Sequence, residues 1–428
     1  MDLAVYAINY APEPIGIPVY TSGMAKWLVA SQDWKVTVRT GTPHYPWWSI
    51  HPVYAKKNTA FGSMDEMLDG VRVERVLHYI PSLPLTGLKR MRLDASWIMA
   101  ILWRSFFTKK KPKALIVVAP PFFGGLLGIY LSWFWRIPIV YHVQDLQVDA
   151  ALGLKLLPSW MGWILLRCEK FILRHVDLVT TISVAMARRI SSKGPTRNPV
   201  QLFPNWVNPQ VMEPGGRAEH FREQWQAGGD LVVMYSGNLG AKQGLDVLLD
   251  AIELLPLTIS FRVVIAGAGP ERTDLENKVR RRALLRVQFH DLVEVDLLGD
   301  FLRAADIHVI PQRRAAAGLV MPSKLLNIMA VGRPVIVTAD VGTDLANVID
   351  ESRGGIRVEP ESPAALAHAL EQFLSNREQR VDCGNAALKY ILSRYTIDRV
   401  VGTFARRVSA CVDHHQRVRS ERTVNQRP

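Results

Sequence analysis

Short runs of aliphatic and β-branched residues recur along this chain, each closed by glycine or proline and followed by a helix-like stretch. Val335-Ile336-Val337 shows the pattern, with an amphipathic segment before it and Pro334 at its door. A strand that is apolar throughout, rather than at alternate positions, is buried on both faces, and a parallel sheet covered by helices is what buries it so. In the first half the runs are Leu3–Ile8, Val36–Thr40, Val71–Val76, Leu115–Ala119, Ile139–His142 and Leu178–Ile182. In the second they are Leu231–Ser236, Phe261–Ala266, a run near Val287, Ile307–Ile310, Val335–Val337 and Gly354–Val358. Helices are expected between them, among others from Gly23 to Val29 and onward, Phe122–Trp135, Gly244–Leu254 and Pro363–Leu374. The expected class is α/β, as two doubly wound, Rossmann-like domains with ligands at the strands' carboxyl ends.

A chain of 428 residues is too long for one ordinary core. Leu202-Phe203-Pro204-Asn205-Trp206, followed by Pro209 and Pro214-Gly215-Gly216, marks the break, giving domains 1–205 and 206–394. The polar end, 417–428, is expected to be disordered. Thr42–Leu68, with Pro43, Pro46, Trp47 and Trp48, is expected to be one long loop, a kind of segment that often carries function. Three scattered cysteines make no metal spacing and no disulfide framework, which fits a reducing compartment. The chain opens without a secretory pattern, so a cytoplasmic setting is expected.

Residues 114–135 form 22 positions without a charge, formally enough to cross a bilayer. Pro120-Pro121 and Gly124-Gly125 cut that run, so strand, turn and helix is the better reading. Charge is lopsided. Residues 1–205 hold 24 Lys and Arg against 12 Asp and Glu, leaving 28 against 27 for the rest. Tryptophans and phenylalanines at 97–107, 133–135 and 160–163 interleave with lysines and arginines. No nucleic-acid motif accompanies the surplus, so the expected polyanion is an anionic inner-membrane surface or a phosphorylated substrate. With the membrane as that polyanion, a peripheral position on the inner face of the plasma membrane is expected.

Three motifs carry chemistry. Leu231–Ser236 runs into Gly237-Asn238-Leu239-Gly240-Ala241-Lys242-Gln243-Gly244, whose glycines let backbone N–H groups approach a phosphate while Lys242 supplies charge. Phe261–Ala266 runs into Gly267-Ala268-Gly269-Pro270. Pro322-Ser323-Lys324 opens a helix that Gly332 stops, and a helix start with a lysine in its first turn suits an anion. Neither a P-loop nor a dinucleotide fingerprint is present. In the first half, Gly16 and Pro18–Tyr20 form the turn before the first helix, and His142 and Asp145 sit together at a strand's carboxyl end.

As a set these stretches resemble the retaining glycosyltransferases of the GT-B fold, family 4. The resemblance rests on 236–252, 264–271, 304–311 and 322–336, and on 10–28, 142–150, 181–190 and 203–208. The 142–145 and 322–332 stretches look most like the colanic-acid branch of exopolysaccharide assembly. The family implies two Rossmann-like domains facing a central cleft, with residues 395–416 as a helix crossing back to the first domain. It implies a nucleotide-diphosphate sugar held mainly by the second domain, at Gly237, Asn238, Gly240, Gly267, Gly269, Ser323 and Asn327, with Gly16 contributing from the first. Lys242 and Lys324 would neutralise the diphosphate with no metal and no other cofactor. A lipid-linked saccharide acceptor would enter past Gly16, His142 and Asp145. The implied reaction is transfer of a hexose, with GDP-fucose one candidate donor.

One departure stands out. The family's two glutamates, eight positions apart, fall here on Leu319 and Asn327, and no acid lies between Asp306 and Asp340. The first acid, which in the family often steadies the donor sugar, is therefore gone, while an amide at 327 can still exchange hydrogen bonds with ribose hydroxyls, without charge. A non-catalytic scaffold of a polysaccharide assembly complex and a nucleotide-sugar epimerase of the same fold therefore stay open beside the transferase.

Overall fold

The structure, a computed structural model, describes residues 1–55, 63–83, 86–153, 159–314 and 323–424. They form two compact units, Met1–Pro204 with Val400–Pro428, and Asn205–Arg399.

The first unit is built on β1 (Asp2–Tyr6), β2 (Lys35–Gly41), β3 (Ser63–Leu68), β4 (Val71–Val76), β5 (Ala114–Ala119), β6 (Ile139–Val143), β7 (Leu178–Thr181) and β8 (Gln201–Leu202). Their order is β3-β4-β2-β1-β5-β6-β7-β8, parallel except for β3 against β4. Every residue of β5 is buried, as a strand with helices on both faces must be. One layer of helices, Gly87–Phe106, Gly124–Trp135 and Ser159–His175, covers the sheet with Trp97, Leu131 and Ile172 among its inward side chains. The apolar run 114–135 is thus a strand, a turn and a helix, and no described helix is long and apolar enough to cross a membrane.

The expected loop Thr42–Leu68 is not one loop. It holds a short helix, Pro52–Ala55, and the edge strand β3. Strand β3 returns through Asp69-Gly70, both at positive φ, the two-residue turn that suits the twist of a hairpin. That Asp-Gly pair was the available signal.

The second unit contains β9 (Leu231–Ser236), β10 (Phe261–Ala266), β11 (Val287–His290), β12 (Ile307–Ile310), β13 (Val335–Thr338) and β14 (Gly355–Val358), in the order β11-β10-β9-β12-β13-β14. The order reverses between β9 and β12, which opens a crevice at their carboxyl ends. Helix Ser323–Ala330 buries Leu325, Leu326, Ile328 and Met329, each worth about 1.5–3 kcal/mol against exposure. Gly332, at φ 70°, ends that stretch as a left-handed stop.

Helix Ile397–Val424 begins at the end of the second unit and continues as part of the first. There Phe404 stacks on Phe203 at 4.0 Å, and Arg407 donates to the Leu202 carbonyl at 2.5 Å. Residues 417–424, expected to be disordered, extend this helix instead. Arginine and glutamate are good helix formers, and neither glycine nor proline interrupts them before Pro428.

Candidate functional site

In the second unit the three strand ends β9, β10 and β11 are stitched together by main chain. The Gly237 N–H donates to the Ala266 carbonyl at 2.9 Å, and the Gly267 N–H to the His290 carbonyl at 3.0 Å. Leu239 N–H reaches the Ala268 carbonyl at 2.9 Å, while Glu271 N–H reaches the Leu239 carbonyl at 3.0 Å. This is backbone packed on backbone. A Cβ at position 267 would lie 1.9 Å from the Gly237 oxygen, and one at 269 would lie 2.3 Å from the Leu239 oxygen. Glycine is required at both places because nothing else fits, which the sequence pattern alone could not distinguish from a phosphate-binding role.

Lys324, one residue into its helix, leads its ammonium back over the ring of Tyr235, 4.2 Å from the centroid. A Cβ on Gly237 would stand 3.5 Å from the Lys324 Nζ. The lysine therefore meets the first glycine turn, two features that the sequence shows only as separate motifs. Although the residue keeps some solvent contact, the protein packed around it lowers its pKa from the ordinary 10.5 to about 7, by desolvation. The Tyr235 hydroxyl donates to the Asn238 carbonyl at 2.6 Å, so the platform under Lys324 also shapes the turn. Asn327 lies one helical turn further and is partly exposed. Ser323 is the helix's first residue; Pro322 and Leu319 lie outside the described residues.

Lys242 projects from a single helical turn, Ala241–Gln243, and is exposed. That turn is held by a residue which the motif reading passed over. Arg313 donates its N–H to the Lys242 carbonyl at 3.1 Å, its Nε to the Ala241 carbonyl at 3.0 Å and its Nη2 to Asp246 at 2.7 Å. Arg313 follows β12, itself anchored to β13 by Thr338, whose hydroxyl accepts from the Gln312 N–H at 2.6 Å. The signal was the Gln-Arg-Arg run at a strand's carboxyl end. Similarly, Arg272 donates to the Gly267 carbonyl at 3.0 Å and braces the second turn.

Gly16, His142 and Asp145 belong to the first unit. Gly16 precedes helix Ile17–Gln32 at φ 76° with open space where a Cβ would stand. His142 is buried, its Nδ1 is 3.0 Å from the Thr180 hydroxyl, and its ring lies 4.8 Å from that of Phe203. Burial lowers its pKa to about 3, so it is neutral at physiological pH and is no standing cation. Asp145 is exposed, yet its carboxyl is raised by desolvation, with Arg90 opposing. Burial also raises Asp94, to about 7, with the same Arg90 opposing. Asp94 gave no sign of this in the sequence, being one charge on an amphipathic helix. Asp149 is structural, paired with Arg189 at 2.6 Å and with Lys193. Among the described residues no three His, Cys, Asp or Glu side chains converge to hold a metal.

Known proteins carry the same two-part build. The family "Glycosyl transferase 4-like domain" matches residues 16–206, and "Glycosyl transferases group 1" matches residues 217–390. The Escherichia coli protein named "Putative colanic acid biosynthesis glycosyl transferase WcaI" is 34% identical over 386 residues, covering 87% of this chain and 92% of that one. This chain is a family 4 glycosyltransferase. A D-inositol 3-phosphate glycosyltransferase of Arthrobacter is 27% identical over 62% of this chain and 63% of its own. Among solved structures, Anabaena HepE in complex with UDP superposes with a TM-score of 0.68 at 15% identity, over 96% of this chain and all of that one. WaaG, of lipopolysaccharide biosynthesis, gives 0.64 at 14% identity, over 94% of this chain and 98% of its own. These two show the fold, GT-B. In this glycosyltransferase the glycine turns and Lys324 occupy the end of the second sheet where the strand order reverses.

Proposed function

We propose that this glycosyltransferase moves a hexose, with retention, from a nucleotide-diphosphate sugar to a lipid-linked saccharide in the assembly of an exopolysaccharide. The observation that carries the reading is the Lys324 ammonium, set over Tyr235 beside Gly237 at the switch point of the second sheet. A partly desolvated lysine in the first turn of a helix, where the helix dipole also favours an anion, has its strongest partner in a diphosphate. As the bond to the sugar breaks, charge grows on the leaving phosphate, and a fixed cation there stabilises that state more than the ground state. The acceptor attacks from the leaving group's own face, and the leaving phosphate takes the acceptor's proton, so no protein base is needed. Lys242, exposed on its turn, adds charge to the same diphosphate, and no metal is required. Asn327, in place of the family's second acid, holds a ribose hydroxyl of the nucleotide.

The test is a panel of radiolabelled donors, headed by GDP-fucose and UDP-glucose, given to the whole chain with lipid-linked saccharide from a membrane extract. Transfer, with slow donor hydrolysis when acceptor is withheld, supports the reading. Donor binding with neither transfer nor hydrolysis across the panel would favour the scaffold, and conversion of the free nucleotide sugar would favour the epimerase.

A further inference from the structure

Three helices that cover the sheet of the first unit, Gly87–Phe106, Gly124–Trp135 and Ser159–His175, have outward faces that are not what a water-facing layer normally carries. On helix Gly87–Phe106, Leu88, Met91, Met99, Trp103 and Phe106 are all exposed, at spacings of three, four or eight that keep them on one stripe. The inward stripe, Leu93, Trp97 and Ile101, is buried, so this helix is apolar on two opposite faces. Helix Gly124–Trp135 adds Tyr130, Trp133 and Phe134. The rings of the two helices meet where Phe106 lies 6.3 Å from Phe134; at the end of the first helix Trp103 lies 5.3 Å from Phe107, and within the second Tyr130 stacks on Phe134 at 6.3 Å. Trp103 is 69% exposed and Trp133 75%. Helix Ser159–His175 continues the face with Trp160, Trp163 and Phe171, the Arg167 guanidinium sitting 4.0 Å over Trp163.

The contrast within the molecule decides what this means. Among the described residues, the exposed large hydrophobics of the second unit are all aliphatic, while the tryptophans and phenylalanines so exposed belong to the first. Tryptophan prefers the membrane–water interface, where an apolar body and a polar N–H are both accommodated. A protein partner would be the rival, but the charge rim speaks against most proteins. Between residues 87 and 175 there are thirteen Lys and Arg against four Asp and Glu. Of those acids Glu169 is buried against Lys193, and Asp149 pairs with Arg189 and Lys193. Lys109, Lys110, Lys111 and Lys113 stand exposed where the aromatic cluster ends, with Arg136 following Trp135.

We infer that the outer face of helices Gly87–Phe106, Gly124–Trp135 and Ser159–His175 docks on an anionic lipid bilayer, the aromatic rings entering the headgroup–acyl boundary and the basic rim remaining among the phosphates. It deepens the reading of a lipid-linked acceptor by naming the surface that brings the enzyme to it. The helices lie along the membrane plane and none inserts.

The test is co-sedimentation of the whole chain with vesicles containing phosphatidylglycerol and with vesicles of phosphatidylcholine alone. Binding to the anionic vesicles, weakened by salt, with a blue shift of tryptophan emission, is expected. The double variant Trp103→Ala/Trp133→Ala should lower the partition coefficient about tenfold or more, since two interfacial anchors are removed. Leu257→Ala/Leu285→Ala, two exposed leucines of the second unit, should leave it unchanged. Substituting Lys109, Lys110, Lys111 and Lys113 with glutamine should remove the preference for anionic lipid. Equal partition of the aromatic variant and the parent, with folding unchanged by circular dichroism, would overturn the proposal. So would self-association of the parent, in the absence of lipid, that the aromatic variant abolishes. Failure of the donor panel would leave the sedimentation result standing, and transfer to a short-chain soluble acceptor should be untouched in Trp103→Ala/Trp133→Ala.

Discussion

Replacing Lys324 by methionine separates a catalytic cation from a structural one, because the two roles change stability in opposite directions. The folded protein holds this ammonium at a pKa of about 7, against 10.5 when free in water. The protonated form is therefore the one that folding disfavours. Its penalty is full below pH 7, fades between pH 7 and 10.5, and is absent above. At 1.36 kcal/mol per pH unit, that gap is worth roughly 4–5 kcal/mol. The lost cation–π contact with Tyr235, about 1–2 kcal/mol, works the other way. Lys324→Met should thus be neutral to about 3 kcal/mol more stable at pH 6.5 in urea denaturation, with the gain gone by about pH 10. Activity should move oppositely. A unit charge some 4 Å away contributes about 4 kcal/mol at an effective dielectric of 20, so kcat should fall by about 10²–10³ while donor KM rises much less. Donor binding by the parent should also take up a proton above pH 7, its affinity falling up to tenfold per pH unit until the bound lysine itself titrates. A folded Lys324→Met that keeps full kcat, or that is less stable than the parent at pH 6.5, would refute the reasoning.

Gly267→Ala places a Cβ 1.9 Å from the Gly237 oxygen, so it should cost about 2–3 kcal/mol in urea titrations; a loss below about 1 kcal/mol would mean that the turns are not packed as described. Asn327→Ala should raise donor KM several-fold with kcat nearly kept, as expected for a contact present in ground and transition states alike, and Asn327→Glu should restore affinity. A pure kcat effect would move Asn327 into the leaving-group machinery. Transfer should survive excess EDTA, and loss of activity restored by Mg²⁺ or Mn²⁺ would take the diphosphate away from Lys242 and Lys324.

Much of the frame was legible because burial writes it directly. Val71–Val76, Leu231–Ser236, Phe261–Ala266 and Ile307–Ile310 are strands with the bounds that their apolar runs have in the sequence. Strand β3 was not legible, since Ser-Met-Asp-Glu-Met-Leu lies at a sheet edge and two acids in its middle break any apolar run; its turn chemistry, Asp69-Gly70, was the better guide. At the site, residue types pointed to Lys324 and the glycines, but not to what joins them. Tyr235 is one apolar position in a strand until a lysine 89 residues later folds over its ring. Arg313 holds a turn 67 to 72 residues earlier through contacts that no local pattern records. Tryptophans were visible as a mixture with lysines, yet only the fold divides Trp97 and Trp135, in the core, from Trp103 and Trp133, in water.

The close approach of the two glycine turns has a consequence for how donor choice could diversify. Their contact surface is made of amides and carbonyls, which are the same whatever amino acid carries them, so this wall of the site offers mutation almost no vocabulary. Any side chain at 267 or 269 breaks the wall before it can alter what the wall recognises. Under the proposed function, the diphosphate is the constant of the reaction and is met by this unalterable surface, with Lys324 beside it. Sugar and base must then be distinguished by side chains that can change without disturbing the turns. Asn327, partly exposed on a helix, is such a position, and under the same proposal an amide in place of an acid there would change the contact with the nucleotide's ribose while leaving the grip on the phosphates intact.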